Sequence, residues 1–527
     1  MNSRLVRGVA GLVGLFLVWE IVSQAGLVDT FLLPPPTDVA TRMVSLLGQS
    51  DYQALAQVGQ PDFVRALIAT LLTWLLSLVI TVVIAVPLGI LLGSLPGVRT
   101  ATSAVIEFVR PIPPIALIPV CTVLLGAGVV TTITLAVFAG VWPVLFGVVG
   151  AMRETDPMLL DTARVFGLSR FAVGARVRLP AVARAAVIGF RVSVALELII
   201  IVSTGMITGI AGGVGAYLWN AGQAVGDTRT VLAGTVIIGI IGYAANLALV
   251  MAQRLPWLHP TASGAPESGQ AGARRWVIRF AQRWGTLVLI VVIWQLAAAA
   301  GHNQFAPTPT TIAGSAWQNL ATLGQNIPIS LAKIGIGWGI AAVGGVGLGV
   351  LLGLLPRAAD VVEPVGAFIR AIPPVLLMPV LVIWVHFGTG LEITTIALGC
   401  AWPILIQTIE GVRSIEPVLI DTSHAYRTSR VRHALTVVLP AAAPKIVTGL
   451  RVSLSLALVL MVISELIGGA IDGLGYQLNV AENTSFDYPF LWACFVVLGI
   501  IGYLVNQLLL FADHRLVSWR HEEAAAQ

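Results

Sequence analysis

Few side chains here are placed for bond chemistry, and the charged text that stands out comes twice. Asp161-Thr162-Ala163, three residues, Gly167, nine residues, Val177-x-Leu179-Pro180 returns as Asp421-Thr422-Ser423, three residues, Arg427, nine residues, Val437-x-Leu439-Pro440. Carboxylates on short helical text beside many arginines offer electrostatic docking, not catalysis. Asp161 and Asp421 read as contacts to a partner, or as charges balancing a helix dipole. A second set of charges falls in apolar text. Arg110 and Arg370 precede the proline steps holding Pro113 and Pro373, and Glu465 sits in ISELIGG, where the first half has Gly205. Charge at membrane depth is costly and functional by default. Arg110 and Arg370 read as an anion-attracting pathway lining or as interfacial side chains reaching for headgroups. Glu465 reads as a gate or substrate contact, or as a solvated mouth residue. Glu197 reads as the partner of an ion pair with Arg191. No metal-ligand cluster and no Ser-His-Asp arrangement stands out. The phosphate-cradling GxxxxGK[ST] is absent, so the chain reads as a non-enzyme that binds no cofactor of its own.

The elements that must position these residues follow from composition. The chain is 57% hydrophobic and 10% charged, against roughly 25% charged in a soluble protein. The charge-free run 66–95 exceeds the roughly 20 residues that cross a bilayer. Lipid leaves backbone groups no outside partner, so the fold class is an all-α polytopic membrane protein. The net charge of +5 is then no nucleic-acid signal, and Cys121, Cys400 and Cys494 read as packing residues in apolar runs.

The repeat sets the domain organisation. FVRPIPPIALIPV at 108–120 returns as FIRAIPPVLLMPV at 368–380, and Trp142-Pro143 as Trp402-Pro403, about 260 positions on, far beyond solenoid periods. Each half gives six spans, about 12 transmembrane helices in all: 6–26, 64–93, 104–125, 129–150, 182–206 and 229–252, then 277–299, 329–355, 364–387, 391–411, 442–468 and 488–512. The first repeat is 1–255 with a docking loop at 153–182. A Pro/Ser/Gly linker spans 256–275. The second repeat is 276–527 with a docking loop at 413–442. Arginines gather in the 153–184 and 413–445 loops and around the linker, while 207–228, 300–328 and 469–487 hold almost none. The positive-inside rule places the Arg side and both termini in the cytoplasm. An even span count gives the halves the same orientation, with a pseudo-two-fold axis along the membrane normal.

In 153–184, Pro157 suits a helix's first turn, and Gly167 suits a left-handed stop. The D-T-A-x3-G-x9-V-x-L-P text resembles the EAA motif, EAA-x3-G-x9-I-x-LP, of bacterial ABC importer permeases. Asp replaces Glu, and Arg427 replaces glycine in the second copy, so the two docking helices are expected to be unequal. RPIPPIALIPV and the Leu-Pro-x3-Pro-x4-Gly-Leu-Arg pattern at 439–451 resemble the branch serving nitrate, taurine, aliphatic sulfonates and thiamine precursors. The resemblance covers nearly the whole chain twice, so the usual permease pair is fused here. It implies a type I importer-like fold in the bacterial inner membrane. It also implies two cytoplasmic ABC ATPases carrying ATP and Mg, and an extracytoplasmic binding protein. Docking would fall on Asp161, Thr162, Ala163, Gly167, Asp421, Thr422, Ser423 and Arg427. The alternative is a twelve-helix secondary transporter driven by an ion gradient.

Overall fold

Proline and aspartate punctuation sets where the helices begin. The computed structural model describes residues 3–48, 62–153, 157–209, 212–223, 226–253, 273–301, 303–426, 428–467 and 469–516, most of them helical. The first half runs α1 (Ser3–Gln24), α2 (Pro36–Leu47), α3 (Phe63–Ser94), α4 (Pro96–Val109), α5 (Ile118–Leu125), α6 (Val129–Arg153), α7 (Pro157–Val165), α8 (Arg170–Val173), α9 (Leu179–Thr208), α10 (Val214–Gln223) and α11 (Thr228–Ala252). The second repeats it as α12 (Ala273–Gly301), α13 (Pro309–Gln318), α14 (Leu320–Gly353), α15 (Pro356–Ala371), α16 (Met378–Val385), α17 (Thr389–Arg413), α18 (Pro417–Ala425), α19 (Arg430–His433), α20 (Leu439–Ile467), α21 (Leu474–Asn483) and α22 (Tyr488–Leu516). Asp62 caps α3 by accepting from the Arg65 amide at 2.7 Å. Pro96 and Pro356 open α4 and α15, where a missing N–H costs little.

Among the described residues ten helices can cross a membrane by length and composition, or twelve if each bent pair is one span. The third span of each half is one of these bent pairs, broken at its proline step. α4 and α5 meet at 84°, and α15 and α16 at 83°. Pro111, Pro113 and Pro114 remove three amides within four residues and disfavour the helical conformation before them. Pro373 and Pro374 do the same in the second half. A 3-10 turn follows each break, at Pro114–Leu117 and Pro374–Leu377. Ile115, Ala116, Val375 and Leu376 in those turns are wholly buried.

Glycine fixes how closely the spans approach. α6 lies between α3 and α9, and α17 between α14 and α20. On α14, Gly337, Gly345, Gly349 and Gly353 face Ile396, Ile404, Thr408 and Val412 of α17. A Cβ on Gly349 would sit 2.5 Å from Thr408 Cβ. Small residues at helical spacing let helices touch where lipid supplies no hydrophobic drive.

The first helix of each repeat crosses to the other half. α1 packs on α15, and α12 packs on α4. Gly11 makes the first crossing close, since a Cβ there would lie 2.2 Å from the Val361 carbonyl oxygen. Arg7 reaches Asp360 at 3.1 Å, and Asp360 also holds Arg413 at 3.0 Å. The repeats at 1–255 and 276–527 are thus sequence units but not separate packing units. The linker expected at 256–275 lies almost wholly outside the described residues.

A buried ionic cluster ties α20 to α21 in the second half. Lys333 Nζ lies 2.6 Å from Glu392 Oε2, 2.8 Å from Asp472 Oδ1 and 3.2 Å from Glu465 Oε1. Ser330 donates to Glu465 at 2.8 Å and accepts from the Leu474 amide at 2.9 Å. Glu465 accepts from the Gly475 amide at 2.7 Å. The first half does this job without charge. Its equivalents are Thr73, Thr132, Gly205 and Gly212, and Thr70 alone accepts the Val214 amide at 2.9 Å.

Two expected outcomes follow. Gly349→Val forces α14 off α17 and costs about 1–3 kcal/mol, whereas Gly347→Val, with open space around it, leaves thermal unfolding unchanged. Lys333→Thr strands buried carboxylates at a cost of about 3–5 kcal/mol. Adding Glu392→Thr, Glu465→Gly and Asp472→Gly recreates the first-half arrangement and recovers about half or more of that loss in the same melts.

Candidate functional site

α7 and α18 lie outside the helices that can cross a membrane, yet both present apolar side chains to the exterior. In α7 and just after it, Met158, Val165 and Phe166 are exposed, Phe166 by 78%; in the second copy Val418, Leu419 and Tyr426 are, Tyr426 by 79%. Asp161, Thr162, Asp421 and Thr422 share that exposure. Ala163 and Ser423 instead turn inward and are buried, and Ser423 Oγ lies 2.6 Å from His433 Nδ1. The motif therefore divides: two residues face outward, and the third seats the helix on its own loop.

The helix ends are more alike than the sequence led us to expect. Gly167 has φ +67°, and the Leu168 amide donates to the Ala163 carbonyl at 3.0 Å. This is the bond that closes a glycine-ended helix. In the second copy the Thr428 amide donates to the Ser423 carbonyl at 3.3 Å, and the Thr428 hydroxyl donates there too, at 2.9 Å. The same closure forms despite the substitution at Arg427, which itself lies outside the described residues. Each loop then runs through a four-residue helix and a π turn, Gly174–Arg178 or Ala434–Val438, straight into α9 or α20. From α8 and α19 onward the described backbone is helical into the long span.

Those two long spans meet the breaks of the opposite half. α9 packs on the 374–377 turn, and α20 on the 114–117 turn. Ile112 lies against Gly499 of α22, and Ile372 against Gly239 of α11. Pro113 and Pro373 thus sit at the corners where the halves interlock. Arg110 and Arg370 are exposed beside them. Arg110 stacks over Phe146, 4.7 Å from the ring centroid. It is also close enough to Arg451 of the other half to be repelled, as Arg370 is by Arg191. Two arginines from each half therefore share one interface at the depth of the breaks.

Glu465 is elsewhere. It is 1% exposed and committed to the Lys333 cluster rather than to an open mouth. Its neighbours Leu466 and Ile467 line a cavity between the halves instead, with Trp219 and Glu482. Glu197 corrects another expectation. It accepts from Ser77 and Thr81, both at 2.6 Å, while Arg191 donates to Asn246 at 2.7 Å. Residues six apart on a helix do not face each other, so the pair could not form. Lys333, Glu392 and Glu482 escaped the sequence reading. A lysine in an otherwise apolar span was the available signal for the first two.

Comparison with known proteins agrees with this architecture. A family model described as binding-protein-dependent transport system inner membrane component matches twice, at residues 85–255 and 345–520. The taurine transport permease of Escherichia coli (strain K12) is 31% identical over 45% of this chain and 89% of its own length. The putative aliphatic sulfonates permease of Bacillus subtilis (strain 168) is 27% identical over 44% and 85%. The nitrate import permease of Synechocystis sp. (strain ATCC 27184 / PCC 6803 / Kazusa) is 26% identical over 44% and 87%. The solved MetNI methionine ABC transporter, inward facing, overlaps 38% of this chain at 21% identity with a TM-score of 0.33, too slight a likeness to argue from. Each of the three relatives spans about one repeat. The chain belongs to the binding-protein-dependent transport system inner membrane component family, as two permease copies in one polypeptide: the multi-pass inner-membrane permease of an ABC importer.

Proposed function

We propose that this chain is both transmembrane halves of a complete importer, driven through α7 and α18 by two separate cytoplasmic ATPases. The observation that carries this is the pair of helices with exposed apolar side chains, equivalent by repeat and each leading through a short helix and a π turn into α9 or α20. A helix set in a groove of a soluble motor transmits motion without slack. The ATPases bind ATP and Mg. When they close on nucleotide, α7 and α18 move together, and α9 and α20 swing against the breaks they cover. The docking helices and both termini face the cytoplasm, and an extracytoplasmic binding protein hands solute to the opposite face. Asp161 and Asp421 meet basic groups on the ATPases.

The solute is small and carries an acidic group. Arg110, Arg191, Arg370 and Arg451 support this reading, because like charges drawn from both halves into one interface favour an anion between them. The relatives named for taurine, aliphatic sulfonates and nitrate fit the same class.

Co-purification from native membranes tests the docking. The wild-type chain is expected to bring down two ATPase copies and hydrolyse ATP. Asp161→Arg with Asp421→Arg is expected to lower recovered ATPase about tenfold or more, since reversing a charge at a contact replaces attraction with repulsion. Undiminished recovery from the double variant refutes the docking assignment. Uptake in liposomes under an ion gradient with no ATPase present refutes the importer reading altogether.

A further inference from the structure

A cavity between the halves opens at the end of the bundle away from α7 and α18. It measures about 350 Å³, within the range of small-molecule sites. The ends of α5, α9 and α20 wall it, and α10 and α21 close over it. Its polar lining is Thr122, Thr208, Trp219, Asn479, Glu482 and Asn483. Thr122 Oγ1 is buried with no hydrogen-bond partner in the described structure.

Glu482 has no structural reason to be acidic. It lies in the last turn of α21, where the helix dipole disfavours a negative charge. Its described partner is the Asn483 side-chain amide, at 3.4 Å. Among the described residues no basic group offsets it: burial pushes its carboxyl up to about 7, opposed by that hydrogen bond. The first half offers no copy. The equivalent residue is Gly222, packed so tightly that a Cβ would lie 2.6 Å from Pro379 Cβ. Trp219 lines the same cavity, and an indole also favours a cation. A half-buried carboxylate, an aromatic ring, an unpaired hydroxyl and two carboxamides converge on one space. No cationic side chain is among that lining.

We infer that this cavity recognises a protonated nitrogen on the imported solute, with Glu482 as its counter-charge. The inference rests on the importer reading and narrows it. Taken with the arginines deeper in the same interface, it makes the solute a small zwitterion, entering with its ammonium group held at Glu482.

Trp219 supplies the readout. The full chain with its ATPases is placed in nanodiscs, and probe-induced fluorescence change is compared with that of Trp219→Phe. Taurine and ethanolamine, which carry an ammonium group, are expected to give a saturable Trp219 signal. Isethionate, which is taurine with a hydroxyl in place of the amine, and nitrate are expected to need about tenfold or more higher concentration, as for loss of a charge-assisted hydrogen bond. Glu482→Gln is expected to erase that preference; co-elution with the ATPases checks its fold. Glu482→Asp, which keeps the charge, is expected to retain part of the preference. Isethionate or nitrate binding as tightly as taurine overturns the inference. So does a Trp219 signal silent to both amines in a complex whose ATPase still responds to its binding protein. That last result leaves the importer reading standing, whereas a complex that recovers no ATPase fails that reading by itself.

Discussion

A peptide group left unpaired in hydrocarbon costs several kcal/mol, and each half of this protein contains a place where pairing must fail. At Arg110–Pro114 and again at Arg370–Pro374, prolines stop a membrane helix at mid-course and turn it by nearly a right angle. Such a break survives only under protein cover, and here the cover comes from the opposite half. Ile112 sits on α22 and Ile372 on α11. The long spans α9 and α20 lie over the turns that follow. The halves are therefore interlocked at these breaks, and irregular backbone, arginines and cavity space meet along the seam between them.

Legibility in the sequence followed the same physics. Spans were readable because burial in lipid demands long apolar runs. The docking loops were readable because a helix outside the membrane needs a start, a stop and an outward face, all written within about a dozen residues. The third spans were placed by composition, and Pro111, Pro113 and Pro114 mark a break, but neither signal registers the 84° angle. The crossing of α1 to α15 depends on residues hundreds of positions apart, with only Gly8 and Gly11 to mark the touching face. Glu465 showed its charge but not its partner. Lys333 lies far from it in sequence, and neither residue's role has meaning without the other. Arg427 promised a difference between the docking helices, yet the backbone bond at Thr428 closes the second copy as Leu168 closes the first.

Duplication left the frame symmetric and the polar interior not. Thr73, Thr132 and Gly205 answer to Lys333, Glu392 and Glu465; Glu197 answers to Ala457; Gly222 answers to Glu482. In a pair of identical subunits every buried charge appears twice across the axis, and an acid near that axis faces its own copy. A single chain escapes this rule. It can place one carboxylate in a shared space and fill the equivalent position with backbone, as Gly222 does against Pro379.

The exchanged first helices also set a schedule for biogenesis. α1 leaves the ribosome long before α15, the helix whose Val361 and Asp360 receive Gly11 and Arg7. At about 5–20 residues per second, the intervening chain takes roughly 20–70 s to synthesise. Through that interval α1 stands in the bilayer with its glycine face bare and Arg7 without Asp360. Topology thus imposes a wait on assembly, and a nascent permease that has finished its first repeat is still an open clasp.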